Sequence, residues 1–549
     1  MESFSTLDVI IFVGYCIFIV LLGLFVSREK KGHSKDSKDY FLASKALPWW
    51  AVGASLIASN ISAEQMIGMS GSGFALGLAI SSYEWMAALT LIIVGLIFLP
   101  IFLKKEIYSM PQFLEQRYDG RVRTFMAIFW LLLYIFVNLT SVIYLGALSI
   151  ETTMGIPFVY GVIGLTAFAM LYSIYGGLKA VAWTDVVQVI FLVAGGIATT
   201  YLALQLVGDG DVFNGFSLLR KEVPDHFHMI FSQGQMIIPD GQGGTIDAYN
   251  LLPGISVLVG GMWIANLSYW GCNQYITQRA LAAKSISEAQ KGVVFAGFLK
   301  LLIPLIVVIP GIAAFILVKN EGDMGAFTAA MTDTATGFVK SDKAYPALLH
   351  LLPDGLKGLA FAALTAAIVS SLASMVNSTS TIFTMDIYRN FVNKESSEKQ
   401  LVKIGRIVAF LAFIIAALIS PALGVLDQAF QFIQEYTGFV SPGVVAIFLV
   451  GIFWKRATAN AALWAAILTF VLSTAFKFLL PEIPFINRMG IVFILLVIIM
   501  VIISLADPKS KDNPKGITLE ASLFTTSFAF KVGSLIIIGI LTALYIIFW

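Results

Sequence analysis

Two long apolar stretches of this chain each carry an amide and a hydroxyl two positions apart. Asn60-Ile61-Ser62 lies inside 47–73, and Asn266-Leu267-Ser268 lies inside 252–276. A run that apolar has no use for either group unless something polar must be met there. Ionisable residues occur in similar surroundings: Glu84 between Tyr83 and Trp85, Lys300 between Leu299 and Leu301, and Glu435 after Gln434. Amides and carboxylates offer paired hydrogen bonds to vicinal hydroxyls. The rings of Tyr83, Tyr269 and Trp270 offer flat apolar faces to a pyranose. One acid and one base among the central candidates fit a neutral polyol, such as a monosaccharide, better than an ion. A carboxylate ligand calls for an arginine, and on this reading none lies mid-span. Two structural alternatives stay open. Each Asn-x-Ser also serves as interhelical hydrogen-bond glue, and Glu84 with Lys300 also reads as an internal ion pair that holds helices together.

A second constellation is Ala367-Ile368-Val369-Ser370-Ser371-Leu372-Ala373-Ser374. Ser370 and Ser374 share a helix face, four residues apart, with Ser371 adjacent. Such hydroxyls, next to free carbonyls of an unwound stretch near 58–61, complete an all-oxygen shell for a small hard cation. Small residues for close helix packing give the same pattern. Asp185 heads Asp185-Val186-Val187-Gln188, which reads either as an N-cap with its box partner at a helix start or as a cytoplasmic-side cation stop.

The elements that must hold these groups are membrane helices. Hydrophobic residues make up 58% of the chain and charged residues 12%. About 20 apolar residues cross the hydrocarbon core, and about fourteen such spans are expected. They lie near 6–26, 47–73, 81–103, 124–150, 157–176, 184–206, 252–276, 290–318, 355–383, 403–420, 425–452, 458–479, 485–506 and 528–548. Runs of that length exclude a transmembrane β-barrel. Glu2 and Asp8, with no cleavage site after 26, mark the first run as a retained span rather than a signal peptide. Starting outside and alternating, the inside loops hold about 26 of the 35 basic residues. Both termini are therefore expected outside, with basic inside loops at 28–45, 104–123 and 389–406.

Two long outer loops, 207–251 and 319–354, carry turn signals at 208–211 and 240–244, but not the spacing of a calcium loop. His226 and His228 read as a solvated pair. The sequons at Asn60, Asn138, Asn266 and Asn377 fall in or beside spans, which disqualifies them as glycan sites. Net charge is +2, which suggests no nucleic-acid partner. Cys16 and Cys272 sit in separate spans without a disulfide or metal pattern. Matching interruptions in two halves point to the substrate site of an inverted-repeat transporter.

At these residues the chain resembles the sodium/solute symporter family, and within it the sodium/glucose-type sugar symporters. The ordered motifs are Asp39-Tyr40-Phe41-Leu42-Ala43, Leu47-Pro48-Trp49-Trp50-Ala51-Val52-Gly53, Asn60-Ile61-Ser62-Ala63-Glu64-Gln65, Tyr83-Glu84-Trp85-Met86, Tyr175-Gly176-Gly177-Leu178, 368–374 and Gln431-Phe432-Ile433-Gln434-Glu435-Tyr436-Thr437-Gly438. The resemblance runs the length of the chain. It implies an all-α integral membrane protein with a LeuT-type core of two inverted five-helix repeats. That division is a leading helix in 1–30, a first repeat in 47–206, an extracytoplasmic loop in 207–251, a second repeat in 252–455 and three trailing helices in 456–549.

By the same resemblance, sugar is held by Asn60, Gln65, Glu84, Asn266, Lys300 and Gln434, with Tyr269 closing the inner side beside Trp270. Met69, Tyr83 and Phe430 form the outer gate. Sodium is held by carbonyls of Ala58, Ile61 and Ala367 and hydroxyls of Ser370 and Ser371. Asp185 lies on the ion exit path, and with Ser59 and Ser374 fits a second sodium. The implied activity is sodium-coupled import of a neutral monosaccharide across the bacterial inner membrane, by alternating access and without enzymatic chemistry. No nucleophile–base pair or phosphate loop appears in the chain. Ala87 departs from the galactose-binding pattern, which has a serine there, so the sugar is open among galactose, glucose and myo-inositol. Ala373 replaces a hydroxyl that two-sodium relatives carry, so one or two ions per cycle stays open. A sugar-responsive sensor or channel on the same scaffold is the alternative of another class.

Overall fold

The computed structural model describes residues 4–26, 45–107, 109–239, 244–321, 325–333, 337–425, 429–511 and 513–549, with the side chains of 24, 172–180 and 425 left out. The motif at 39–43, most of the loop 28–45, the turn at 240–243 and the side chains of 175–178 lie outside the described residues.

Among the described residues each of the fourteen expected stretches is helical over most of its length, but they do not form fourteen separate spans. Among the described residues, ten helices are long and apolar enough to cross a membrane. An eleventh follows if Ala429–Gly438 and Ser441–Phe453, bent by 46°, form one span. Two corrections concern the boundaries. The expected spans 157–176 and 184–206 form a single helix, Phe158–Val207. No proline interrupts it, and glycines alone weaken a helix by only about 1 kcal/mol each. Asp185 therefore lies inside a helix and caps nothing, which overturns the N-cap reading.

The second correction concerns the paired breaks. In the first half the helix Trp49–Asn60 stops at Ile61, whose ψ of 96° is extended. The helix restarts through half of a capping box: Gln65 Oε1 accepts from Ser62 N at 3.3 Å, while Ser62 Oγ accepts from Glu64 N at 3.2 Å and not from Gln65 N. A π-turn, Glu64–Met69, follows. In the second half Asn266-Leu267-Ser268 is unbroken: Gly261–Leu267 runs directly into a π-turn, Ser268–Cys272. The interruption comes at Asn273, extended at ψ 128°, before the helix Gln274–Leu281. Ser268 has Gly271 where Ser62 has Gln65, so no box forms there. Tyr134 supplies the missing partners, its hydroxyl donating to Asn273 Oδ1 and accepting from Gln274 N at 3.1 Å.

Glycines set the close approach of the two helices that frame the site. A Cβ on Gly53 would stand 2.6 Å from the carbonyl of Gly292, and one on Gly311 would stand 2.2 Å from that of Ser70. Trp49–Leu76 thus lies along Ile286–Glu321 at two levels, as small residues allow in membrane proteins. The leading helix Thr6–Val26 is pinned by Asp8, whose Oδ1 accepts from Gly355 N and Gly358 N at 2.7 and 2.8 Å. A carboxylate there satisfies orphan donors at the start of Leu356–Thr381. At the other end of the chain, Met229 N donates to Phe548 O at 2.8 Å. Both termini therefore meet the long loops at one face.

In the 207–251 loop, His226 is buried against Phe315, with Nε2 3.1 Å from Phe74 O, while His228 is half-buried beside Trp549 O, with Nδ1 at 2.9 Å. The expectation of a solvated pair fails for His226. The loop folds its ring onto the helix bundle, where Phe74 and Phe315 surround it.

Candidate functional site

The seven side chains expected to hold sugar, Asn60, Gln65, Glu84, Asn266, Tyr269, Lys300 and Gln434, line one cavity together with Tyr83, Ala87 and Trp270. They come from both broken helices and from three further helices. Lys300 is the centre. Its ammonium donates to Glu84 Oε2 and to Asn60 Oδ1, and it lies 4.9 Å from the Trp270 ring centroid. Asn60 Nδ2 donates to the Tyr269 hydroxyl at 3.0 Å, which also accepts from Tyr275 at 2.8 Å. Asn266 donates to the carbonyl of Met262 at 3.1 Å. The ion pair foreseen as a helix tie is real, and it forms part of the cavity wall.

Of the residues expected at an outer gate, Tyr83 and Phe430 meet edge to face at 5.2 Å, and Met69 is fully buried. On the inner side Tyr269 packs on Trp270 at 5.1 Å. Glu435 takes no part in the cavity. Its carboxylate accepts from Arg488 at 2.7 Å and pairs with Lys477 at 3.3 Å.

The expected cation ligands Ala58, Ile61, Ala367, Ser370 and Ser371 are all buried. Ser371 Oγ lies 3.4 Å from Ala58 O and 3.3 Å from Ser59 O. Sodium is close to calcium in size, and oxygens at about 2.3–2.6 Å from such an ion, at right angles, stand about 3.4 Å apart. Both separations from Ser371 Oγ match that spacing. Ser370 turns elsewhere, and its hydroxyl donates to Asp185 Oδ1.

The residues expected on the exit path or at a second sodium, Asp185, Ser59 and Ser374, do converge. They converge on an arginine. Arg279 is 1% exposed and its Nη2 pairs with Asp185 Oδ2 at 3.2 Å. Its Nε lies 2.5 Å from Ser59 Oγ and 2.9 Å from Ser55 O, and Nη2 also donates to Ser374 Oγ. Ser55 donates to Asp185 at 2.6 Å. Arg279 falls between the expected spans 252–276 and 290–318, so the expectation that no arginine lies among the helices fails here. Its signal was the break at Asn273, which returns the chain to the bundle as the helix Gln274–Leu281.

Further polar cavity residues without an expected role include Glu64, Asn138, Asn273, Thr437 and Ser441. Glu64 is 7% exposed, and among the described residues its Oε1 has no hydrogen-bond partner. A carboxylate beside Gln65 in so apolar a run was visible in the sequence.

Comparison with known proteins gives concordant results. The Sodium:solute symporter family matches residues 40–469. The chain is 52% identical to the sodium/glucose cotransporter of Vibrio parahaemolyticus over 549 residues, covering 100% of this chain and 99% of that one. It is 34% identical to human sodium/myo-inositol cotransporter 2 over 473 residues, covering 84% and 68% of the two chains. Among solved structures, a Na+-coupled sialic acid symporter superposes with a TM-score of 0.77 at 24% identity, covering 92% of this chain and 99% of that one. That likeness places the fold in the LeuT type.

Proposed function

The chain belongs to the sodium:solute symporter family, and on that premise we propose that it couples inward sodium movement to import of a neutral monosaccharide by alternating access. The observation that carries this reading is the single cavity into which all seven expected sugar-binding residues converge. The charges of Glu84 and Lys300 cancel there, leaving amide, hydroxyl and carboxylate edges for a hydroxylated ligand. The methyl of Ala87 lines the same wall where a galactose-binding pattern has a hydroxyl. That favours glucose, or myo-inositol as second choice.

Sodium binds between the Ala58 and Ser59 carbonyls and Ser371, and it orders the first break, next to Asn60 and the Ser62–Gln65 bond. Sugar enters past Met69, Tyr83 and Phe430. These close over it, the repeats in 47–206 and 252–455 rock, Tyr269 yields, and both solutes leave inward. One charge crossing 100 mV contributes about 2.3 kcal/mol, and a tenfold sodium gradient about 1.4 kcal/mol. Their sum supports a sugar ratio of about a few hundredfold per ion. Both termini lie outside in this arrangement. The shared face of the two ends and the two long loops supports that orientation, as does the opposite face, where Arg117 and Lys515 bind loop carbonyls.

Competition in purified, reconstituted protein tests the proposal. Glucose, galactose and myo-inositol should displace a labelled hexose while charged sugars do not, and Gln65→Ala should lose the displacement. Displacement by a charged sugar alone would reject it.

A further inference from the structure

We propose that Asp342, on the loop 319–354, is a positioning residue of the gate: its carboxylate holds the start of the helix that carries Phe430, so that the ring closes over the sugar. The inference rests on the gate reading above and adds to it the residue that sets where Phe430 stands.

The helix Ala429–Gly438 carries Phe430 at its start and the cavity residue Gln434 one turn later. Amides in a first turn lack an acceptor within their own helix, and a negative charge there is favourable. Asp342 Oδ2 accepts from Ala429 N at 2.9 Å, on the residue just before Phe430. Asp342 is 1% exposed, so bulk water does not compete for that amide. The loop also reaches the chain leading towards this helix, where Lys340 Nζ donates to Gly424 O at 2.8 Å. Lys340 is itself paired with Asp333 at 3.1 Å. One short stretch of loop thus grips the approach to Phe430 at two points.

The same carboxylate packs against the first half of the chain. A Cβ on Gly71 would stand 2.7 Å from Asp342 Oδ1 and 2.9 Å from Asp342 N, and one on Gly68 would stand 3.1 Å from Phe430 Cβ. Met69 lies between these two glycines. Asp342 therefore meets the segment of Met69 and the segment of Phe430 at once, and the Phe430 ring in turn meets Tyr83. For Phe430 to leave Tyr83, the Asp342–Ala429 bond must break or the loop must move with the helix. A bond that served only to fold the loop would change the number of intact molecules and leave sugar release from each one unchanged.

The test is the rate at which bound labelled glucose leaves the purified protein in saturating sodium on dilution into unlabelled glucose. Asp342→Ala should release it about tenfold faster than the wild type, as expected for loss of a hydrogen bond to a charged group. Asp342→Asn keeps an oxygen for the Ala429 amide and should release more slowly than Asp342→Ala. Phe430→Ala should also release fast. Asp342→Ala combined with Phe430→Ala should match Phe430→Ala alone, because Asp342 acts through that ring. Wild-type release from Asp342→Ala, or effects that multiply in the double variant, overturns the inference. Where Asp342→Ala fails to fold, Ala429→Pro decides, since it removes the donor and proline is accepted in a first helical turn. Fast release from it supports the inference, and wild-type release rejects it. Wild-type release from Phe430→Ala would reject the gate reading, and the inference with it.

Discussion

Asn60 and Tyr269 are joined by a hydrogen bond of 3.0 Å, from the amide that ends the first broken helix to the hydroxyl carried on the π-turn of the second. This bond is one of several polar contacts between the two halves, beside those of Lys300 with Asn60 and Glu84 and of Arg279 with Ser55 and Ser59. Anything that moves one half must release this bond or carry it along.

Tyr269→Phe removes that contact and keeps the ring. Leaving the Asn60 amide unmatched costs about 1 kcal/mol, so half-saturating sugar should rise about fivefold. Tyr269→Ala also removes the inner wall and should let sodium pass without sugar. Wild-type uptake curves in both variants would show that Tyr269 closes nothing.

Lys300→Ala leaves Glu84 buried with its ion partner gone. Breaking such a pair costs about 3–5 kcal/mol, and thermal unfolding in detergent should begin earlier. Replacing both residues by glutamine should restore part of the stability while sugar binding stays lost. Equal unfolding of Lys300→Ala and wild type would mean the pair is not a buried unit.

Ser371→Ala removes the hydroxyl that faces the Ala58 and Ser59 carbonyls. Half-saturating sodium should rise about tenfold, a loss of about 1.4 kcal/mol, while sugar affinity at saturating sodium holds. An unchanged sodium activation curve would move the ion elsewhere.

His226 gives the 207–251 loop a pH dependence. Burial lowers its pKa below the ordinary histidine value, opposed by the Phe74 carbonyl and Asp225. The folded loop therefore binds fewer protons than the unfolded one once pH falls below about 6.5. Its contribution is complete above that pH and is lost on acidification towards the folded value. Hydrogen exchange at 223–229 should quicken as pH falls below about 6.5. His226→Gln should flatten that trend, and a trend that survives the substitution would assign it to another group.

The helix positions were readable because twenty-residue apolar runs have few other fates. The cavity was readable because Asn60, Glu84 and Lys300 are costly in such runs without a partner. The second break was misplaced because Asn266-Leu267-Ser268 imitates the first in letters but lacks the glutamine that closes a capping box. Arg279 was hidden for a related reason. Its place among the helices depends on the kink at Asn273, which hydropathy does not register. His226 looked solvated because a loop's contacts with Phe74 and Phe315 are long-range and leave no local pattern.

The account stands most directly on gradient-driven accumulation. Purified protein in proteoliposomes, given an inward sodium gradient, should concentrate labelled glucose above its outside level and lose it when the gradient is collapsed. Equal accumulation with potassium in place of sodium, or uptake that stops at the outside concentration, would contradict it.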